Sequence, residues 1–131
     1  MSGHCLRLSV VLFTMWYAHG GTAFAENIEH GREIARQQCA RCHVIPDLKN
    51  MGIGSTPSFK AMVQSKAKDW RDKFEAFYSL PPHPAFVTIQ EMRTERVGPA
   101  SIAPVIMSLR ELDDLMAYVD KLATTYRTSQ D

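Results

Sequence analysis

Five consecutive residues could carry the chemistry of this chain: Cys39, Ala40, Arg41, Cys42 and His43. Two thiols three positions apart, close to a helix end, can reach the two vinyl groups of one porphyrin and form thioethers. The next residue then lies under the iron as an imidazole ligand. C-x-x-C-H is accordingly the pattern of covalent c-type haem attachment. It predicts one haem c, held by Cys39 and Cys42, with His43 as the proximal iron ligand.

Two simpler uses of a cysteine pair compete with this one. A zinc half-site needs two further ligands at ligand spacing. Beyond the first 25 residues there is no third cysteine, and the remaining histidines besides His43 are His30 and His83. A dithiol redox pair is expected in a βαβ context, and no such alternation is visible in the sequence.

The N-terminus supports an exported protein. His4 and Arg7 form a weakly basic start, residues 8–18 are mostly apolar, and Ala23-Phe24-Ala25 is an A-x-A cleavage site. This predicts a signal peptide over 1–25 and a mature domain over 26–131. The apolar run is shorter than the roughly 18 residues a membrane span needs, so no stable membrane insertion is expected after cleavage. Cys5 precedes the apolar run, where a lipid-modified cysteine would follow it. Cleavage removes one basic residue, Arg7, and no acidic one, so the formal charge falls from +1 to zero. Near-neutral charge gives no argument for nucleic acid or for a strongly charged partner. With 131 residues, 45% hydrophobic and 22% charged, the chain has the length and composition of one globular domain.

The elements that must position the motif follow in order. Residues 27–38 predict a helix running into Cys39. Asn27 is its N-cap, and Ile28, Gly31, Ile34 and Ala35 form one stripe. Gly31 costs helix stability and marks a close approach to another element. Residues 44–58 hold Pro46, Gly52, Gly54 and Pro57, a density of breakers that predicts a loop wrapping the proximal side of the haem. Pro57 and Phe59 are candidates to cover the haem, or else ordinary turn and core residues. Residues 59–80 predict one helix or two short ones, with Lys60, Lys66, Lys68, Arg71 and Lys73 facing water. That basic run reads first as a solvated face and only second as a docking patch, the place where an acidic partner would touch. Pro81, Pro82 and Pro84 end this segment and predict an extended stretch. Residues 85–107 are poorly periodic, predicting an irregular distal cover. Residues 108–123 are the clearest helix, opened by a Ser108–Glu111 capping box with Met107 and Leu112 as a hydrophobic staple. Residues 124–131 are expected to fray.

Taken together these residues resemble class I cytochromes c, in particular the small periplasmic cytochromes of bacteria. The likeness rests on Gly31-Arg32, the haem motif, Thr56-Pro57-Ser58-Phe59, Pro82-His83-Pro84, Ser108-Leu109-Arg110-Glu111, and Asp114-Leu115-Met116-Ala117-Tyr118-Val119. It implies an all-α class I cytochrome c fold: three to five helices around one covalently bound haem, with the N- and C-terminal helices crossing where Gly31 meets Tyr118. It also implies that the Pro57 carbonyl accepts the Nδ1 proton of His43, fixing the ring and raising ligand basicity.

The chain departs from the family at the sixth iron position. Counting back from Tyr118 over the family's usual interval to its distal methionine reaches Ile102, Ser101 and Ala100, none of which can bind iron. Relatives also carry a methionine two residues beyond Pro-His-Pro, where this chain has Phe86. Met92, His83 and Met107 are the three substitutes, and a five-coordinate iron is the remaining option.

The expectation is a soluble periplasmic mono-haem cytochrome c carrying one electron between unidentified redox protein partners, as a monomer and not as an enzyme. Phe59, Phe86 and Val87 would exclude water and raise the potential, because a dry pocket disfavours the more positive ferric form. The alternative is a protein that binds or senses a small gas at an open sixth position. A third reading is an electron-accepting subunit of a periplasmic oxidoreductase. A peroxidase is the weakest, resting on His83 near Arg93 or Arg96.

Overall fold

The structure is a computed structural model, and it describes residues 26–92, 94, 96 and 102–128. The expected signal peptide over 1–25, Arg93 and the Ala100-Ser101 pair lie outside the described residues. Four α-helices dominate: α1 (Ile28–Ile34), α2 (Phe59–Val63), α3 (Trp70–Glu75) and α4 (Leu109–Arg127).

Helix α1 begins where expected. The Asn27 side chain accepts from the His30 amide at 3.0 Å. The helix does not stay α-helical up to the haem motif. It widens into a π turn over Ala35–Cys39, with the Ala40 amide bonded to the Ala35 carbonyl at 2.9 Å. One residue is thereby added to the last turn, a device common at functional sites. The amides of Cys42 and His43 then both bond the Cys39 carbonyl, at 3.0 and 2.9 Å.

Helices α1 and α4 do cross at Gly31. A Cβ at Gly31 would lie 1.8 Å from the Asp114 carbonyl oxygen and 2.9 Å from the Leu115 nitrogen. Gly31 therefore admits the backbone of α4 at Asp114 and Leu115. The carboxylate of Asp114, 2% exposed, turns back to α1. It accepts from the Asn27 amide and from His30 Nδ1, both at 2.7 Å.

The 59–80 segment divides. Ser58 caps α2 by accepting from the Ala61 amide at 3.1 Å. The helix stops after Val63, and the Ser65 hydroxyl accepts from the Ala67 amide, a local bond that competes with helix. Helix α3 follows and tightens into a 3₁₀ turn over Ala76–Ser79. The segment after Pro81 is not extended, as the prolines suggested. It forms a second 3₁₀ turn over His83–Ala85, with the Phe86 amide returning to the His83 carbonyl at 2.9 Å.

Within 85–107, expected to be irregular, two short strands pair in parallel: β1 (Val87–Ile89) and β2 (Val105–Met107). Val87 faces Val105, and Ile89 faces Met107. All four are buried while Ile106 is exposed, the two-residue alternation of a half-buried strand. A three-residue alternation is too short to stand out in a sequence, and a parallel partner lies beyond any local pattern.

Helix α4 closes the fold with both halves of its capping box formed. It continues to Arg127, past the point where fraying was expected, because its last turns still pack. Leu122 and Ala123 are buried, the Tyr126 carbonyl accepts from Gln64 Nε2, and the Arg127 guanidinium donates to the Val63 carbonyl at 3.0 Å. The core joins α1, α2 and α4 through Ile34, Phe59, Val63, Leu115, Tyr118 and Val119. Met107 and Leu112, the expected staple pair, are both buried in it.

Candidate functional site: a haem cavity between two histidines

A cavity of about 760 Å³ opens beside the motif, within the size range of cofactor sites. Cys39, Cys42 and His43 form one wall. Pro57, Phe59, His83, Phe86 and Val87 line the cavity with them. The lining is mostly apolar side chains with few polar groups, which suits a porphyrin. All the residues singled out as haem cover are therefore gathered at one site.

The loop after the motif holds His43 by backbone geometry. His43 Nδ1 lies 2.8 Å from the Pro57 carbonyl oxygen. A carbonyl only accepts, so the proton sits on Nδ1 and Nε2 keeps its lone pair. Sequence reasoning missed the residue that shapes this loop, Asn50. Its Oδ1 accepts from the Ile45 amide at 3.0 Å, and its Nδ2 donates to the carbonyls of Ala40 and His43 at 2.9 and 2.7 Å. An asparagine among turn-forming residues was the available signal. Gly52 has φ +59°, and a Cβ there would lie 2.8 Å from the Val44 nitrogen and 2.9 Å from the Cys42 oxygen. The Ile53 amide and the Thr56 hydroxyl both donate to the Cys42 carbonyl. The loop is thus pressed against the motif along its length.

Asp47 was also missed. It takes the Tyr118 hydroxyl at 2.5 Å and Arg32 Nε at 2.5 Å, tying the loop to both crossing helices. Burial would raise its carboxyl, but Tyr118 and Arg32 outweigh this and hold it below the ordinary value. Burial and the facing Asp47 push the Tyr118 phenol far up, so it stays a donor.

The two cysteines are unpaired. Burial pushes the Cys39 thiol up to about 12, against a smaller opposing pull from Arg41. A working redox dithiol needs the reverse, a thiol lowered toward neutrality. Among the described residues no group of three or more His, Cys, Asp or Glu side chains is placed to hold a metal ion by itself. This disfavours zinc and leaves a ligand set that a porphyrin would complete.

The three candidates for the sixth position separate. Met92 is 47% exposed and does not line the cavity. Met107 lines it from β2 and is 2% exposed. His83 lines it too, with its ring plane within 10° of that of His43 and the centroids 6.0 Å apart. Its Nδ1 lies 3.0 Å from the Leu80 carbonyl oxygen. Burial lowers the His83 imidazole from the ordinary histidine value, the Leu80 carbonyl opposes this, and nearby His43 adds to the lowering. The ring is therefore neutral at neutral pH. Arg96 is exposed and away from the cavity, which removes one of the two arginines a peroxidase reading would use.

The basic face is partly committed. Arg71 pairs with Asp120 and Glu75, Lys73 with Asp69, and Lys60 lies over the Tyr126 ring. Among the described residues no helix is long and apolar enough to cross a membrane.

A family profile for Cytochrome c matches residues 28–123. Cytochrome c-552 of Bradyrhizobium diazoefficiens is 31% identical over 110 residues, covering 84% of this chain and 95% of that protein. No solved structure gives a significant match. The profile match begins at the first residue of α1 and ends in the last turns of α4, so it takes in the whole cavity. The chain belongs to the cytochrome c family.

Proposed function

We propose that this haem-binding electron carrier works in the periplasm with a single haem c, passing one electron at a time between redox proteins. Cys39 and Cys42 would hold the group covalently, and His43 would ligate its iron. The observation that carries this reading is the His43–Pro57 bond at the mouth of a largely apolar cavity flanked by two unpaired cysteines.

When bound, haem c supplies a one-electron ferric/ferrous couple. The protein does the rest without acid, base or nucleophile. Pro57 fixes the tautomer of His43, and so presents Nε2 to the cavity. Phe59, with its ring centroid 5.7 Å from that of His43, and Phe74, packed edge-on against Phe59 at 5.0 Å, exclude water from this side. Phe86 and Val87 line the same cavity. A dry, rigid surround favours the less charged ferrous form and limits reorganisation between redox states.

The signal-like N-terminal sequence, an apolar run over 8–18 followed by Ala23-Phe24-Ala25, supports the compartment. The test is expression of the full chain with and without periplasmic haem-attachment machinery. Intact mass should show loss of residues 1–25 and gain of one haem, both confined to the exported fraction. Cys39→Ala/Cys42→Ala protein should carry no covalent haem. A folded, haem-free protein after export with the machinery present would contradict the reading.

A further inference from the structure

We infer that His83 is the second axial ligand, so that one iron is held between two histidines. This rests on the reading of the cavity as a haem c site and specifies its sixth position.

Separation is the first support. An imidazole binds a first-row metal at about 2 Å through a nitrogen about 1.1 Å from its own ring centre, so two imidazoles on opposite sides of one metal have centres roughly 6 Å apart. The His43 and His83 centroids are 6.0 Å apart, and the rings are parallel within 10°. That separation matches the span of one metal atom between two imidazoles.

Matched tautomers are the second. His43 Nδ1 is bound to the Pro57 carbonyl and His83 Nδ1 to the Leu80 carbonyl, at 2.8 and 3.0 Å. Each carbonyl can only accept, so both protons sit on Nδ1 and both lone pairs on Nε2. Neither Nε2 has a hydrogen-bond partner among the described residues. Metal-bound histidines are oriented in this way, by a carbonyl on the other ring nitrogen. His83 therefore has the same support as the motif histidine, although it lies far from it in sequence.

The third is rigidity. His83 sits in a 3₁₀ turn between Pro82 and Pro84. The Phe77 ring meets it edge-on at 5.2 Å, and the Phe86 ring flanks it at 5.7 Å. Phe86 lies two residues beyond Pro84. In this chain that position packs the ligand ring instead of supplying the ligand. Met107 lies on the cavity wall but is buried in a strand pair, and Met92 is outside the cavity.

Replacing a thioether by an imidazole removes a ligand that raises the potential. The test uses the full-length protein matured with covalent haem. Wild-type ferric protein should be low-spin, lack the weak long-wavelength charge-transfer band that a thioether ligand produces, and stay unchanged under carbon monoxide when reduced. H83A should become high-spin and bind carbon monoxide, and added imidazole should restore the low-spin spectrum, which a merely structural role would not allow. H83M should stay low-spin, gain the thioether band and titrate at a higher potential. M107L and M92L should leave the wild-type spectrum intact. A thioether band in wild type that M107L or M92L removes overturns the assignment while leaving the cytochrome reading in place, and so does a high-spin wild-type haem open to carbon monoxide. Wild-type protein lacking covalent haem overturns both.

Discussion

At the residue scale, a few polar side chains fix the crossing and the haem loop, and of them Asp114 is buried. Asp114 is held below the ordinary carboxylate value. Burial alone would raise it, but the donors on His30 and Asn27 outweigh that. A carboxyl whose folded value is depressed stabilises the fold above its unfolded value, near 4, and loses that contribution as pH falls through the folded value. Asp114→Asn should therefore cost about 2 kcal/mol at pH 7, and the difference from wild type should shrink as the medium is acidified. Urea midpoints at neutral and acid pH measure both. Tyr118→Phe should cost about 1 kcal/mol through the lost bond to Asp47, read the same way. Little of this was legible beforehand. The thiols, His43, Pro57 and Phe59 announced themselves through a fixed local spacing. Asp47, Asn50 and Asp114 carry no spacing of their own, because their partners lie on other elements or on backbone groups.

At the scale of elements, the starts of helices were legible and their ends less so. Asn27, Ser58 and Ser108 each cap a helix through a bond within four residues, so local chemistry fixes them. Ser108→Ala should cost about 1 kcal/mol by removing the capping box, measured as a lowered thermal midpoint. The π turn at Ala35–Cys39 and the β1–β2 pair were not visible. The first is an adjustment that places the cysteines at the cavity wall, and the second is a long-range pairing. Gly31 was correctly singled out, but only the structure shows that it yields to backbone. Gly31→Ala drives a methyl into the Asp114 carbonyl and should destabilise by about 3 kcal/mol, near the upper end for overpacking. Gly52→Ala should cost about 2 kcal/mol, because φ is positive and the space is filled. Its effect on the His43 spectrum would show whether the loop sets the ligand.

For the molecule as a whole, a short chain encloses a cavity large for its size. The two ends of the described chain cross and lock through Gly31, Asp114, Tyr118 and Asp47, and the segments between them line the haem site. The cytochrome c family accounts for the cysteines, His43 and the crossing. The second histidine stands inside an aromatic clamp of Phe77 and Phe86. The most direct test of the central claim is an optical redox titration of the matured, exported protein. The account predicts a single reversible one-electron transition in sharp haem bands, with one covalent haem per chain. Absence of any redox-linked haem absorbance, or reduction titrating as a two-electron dithiol couple, would contradict it.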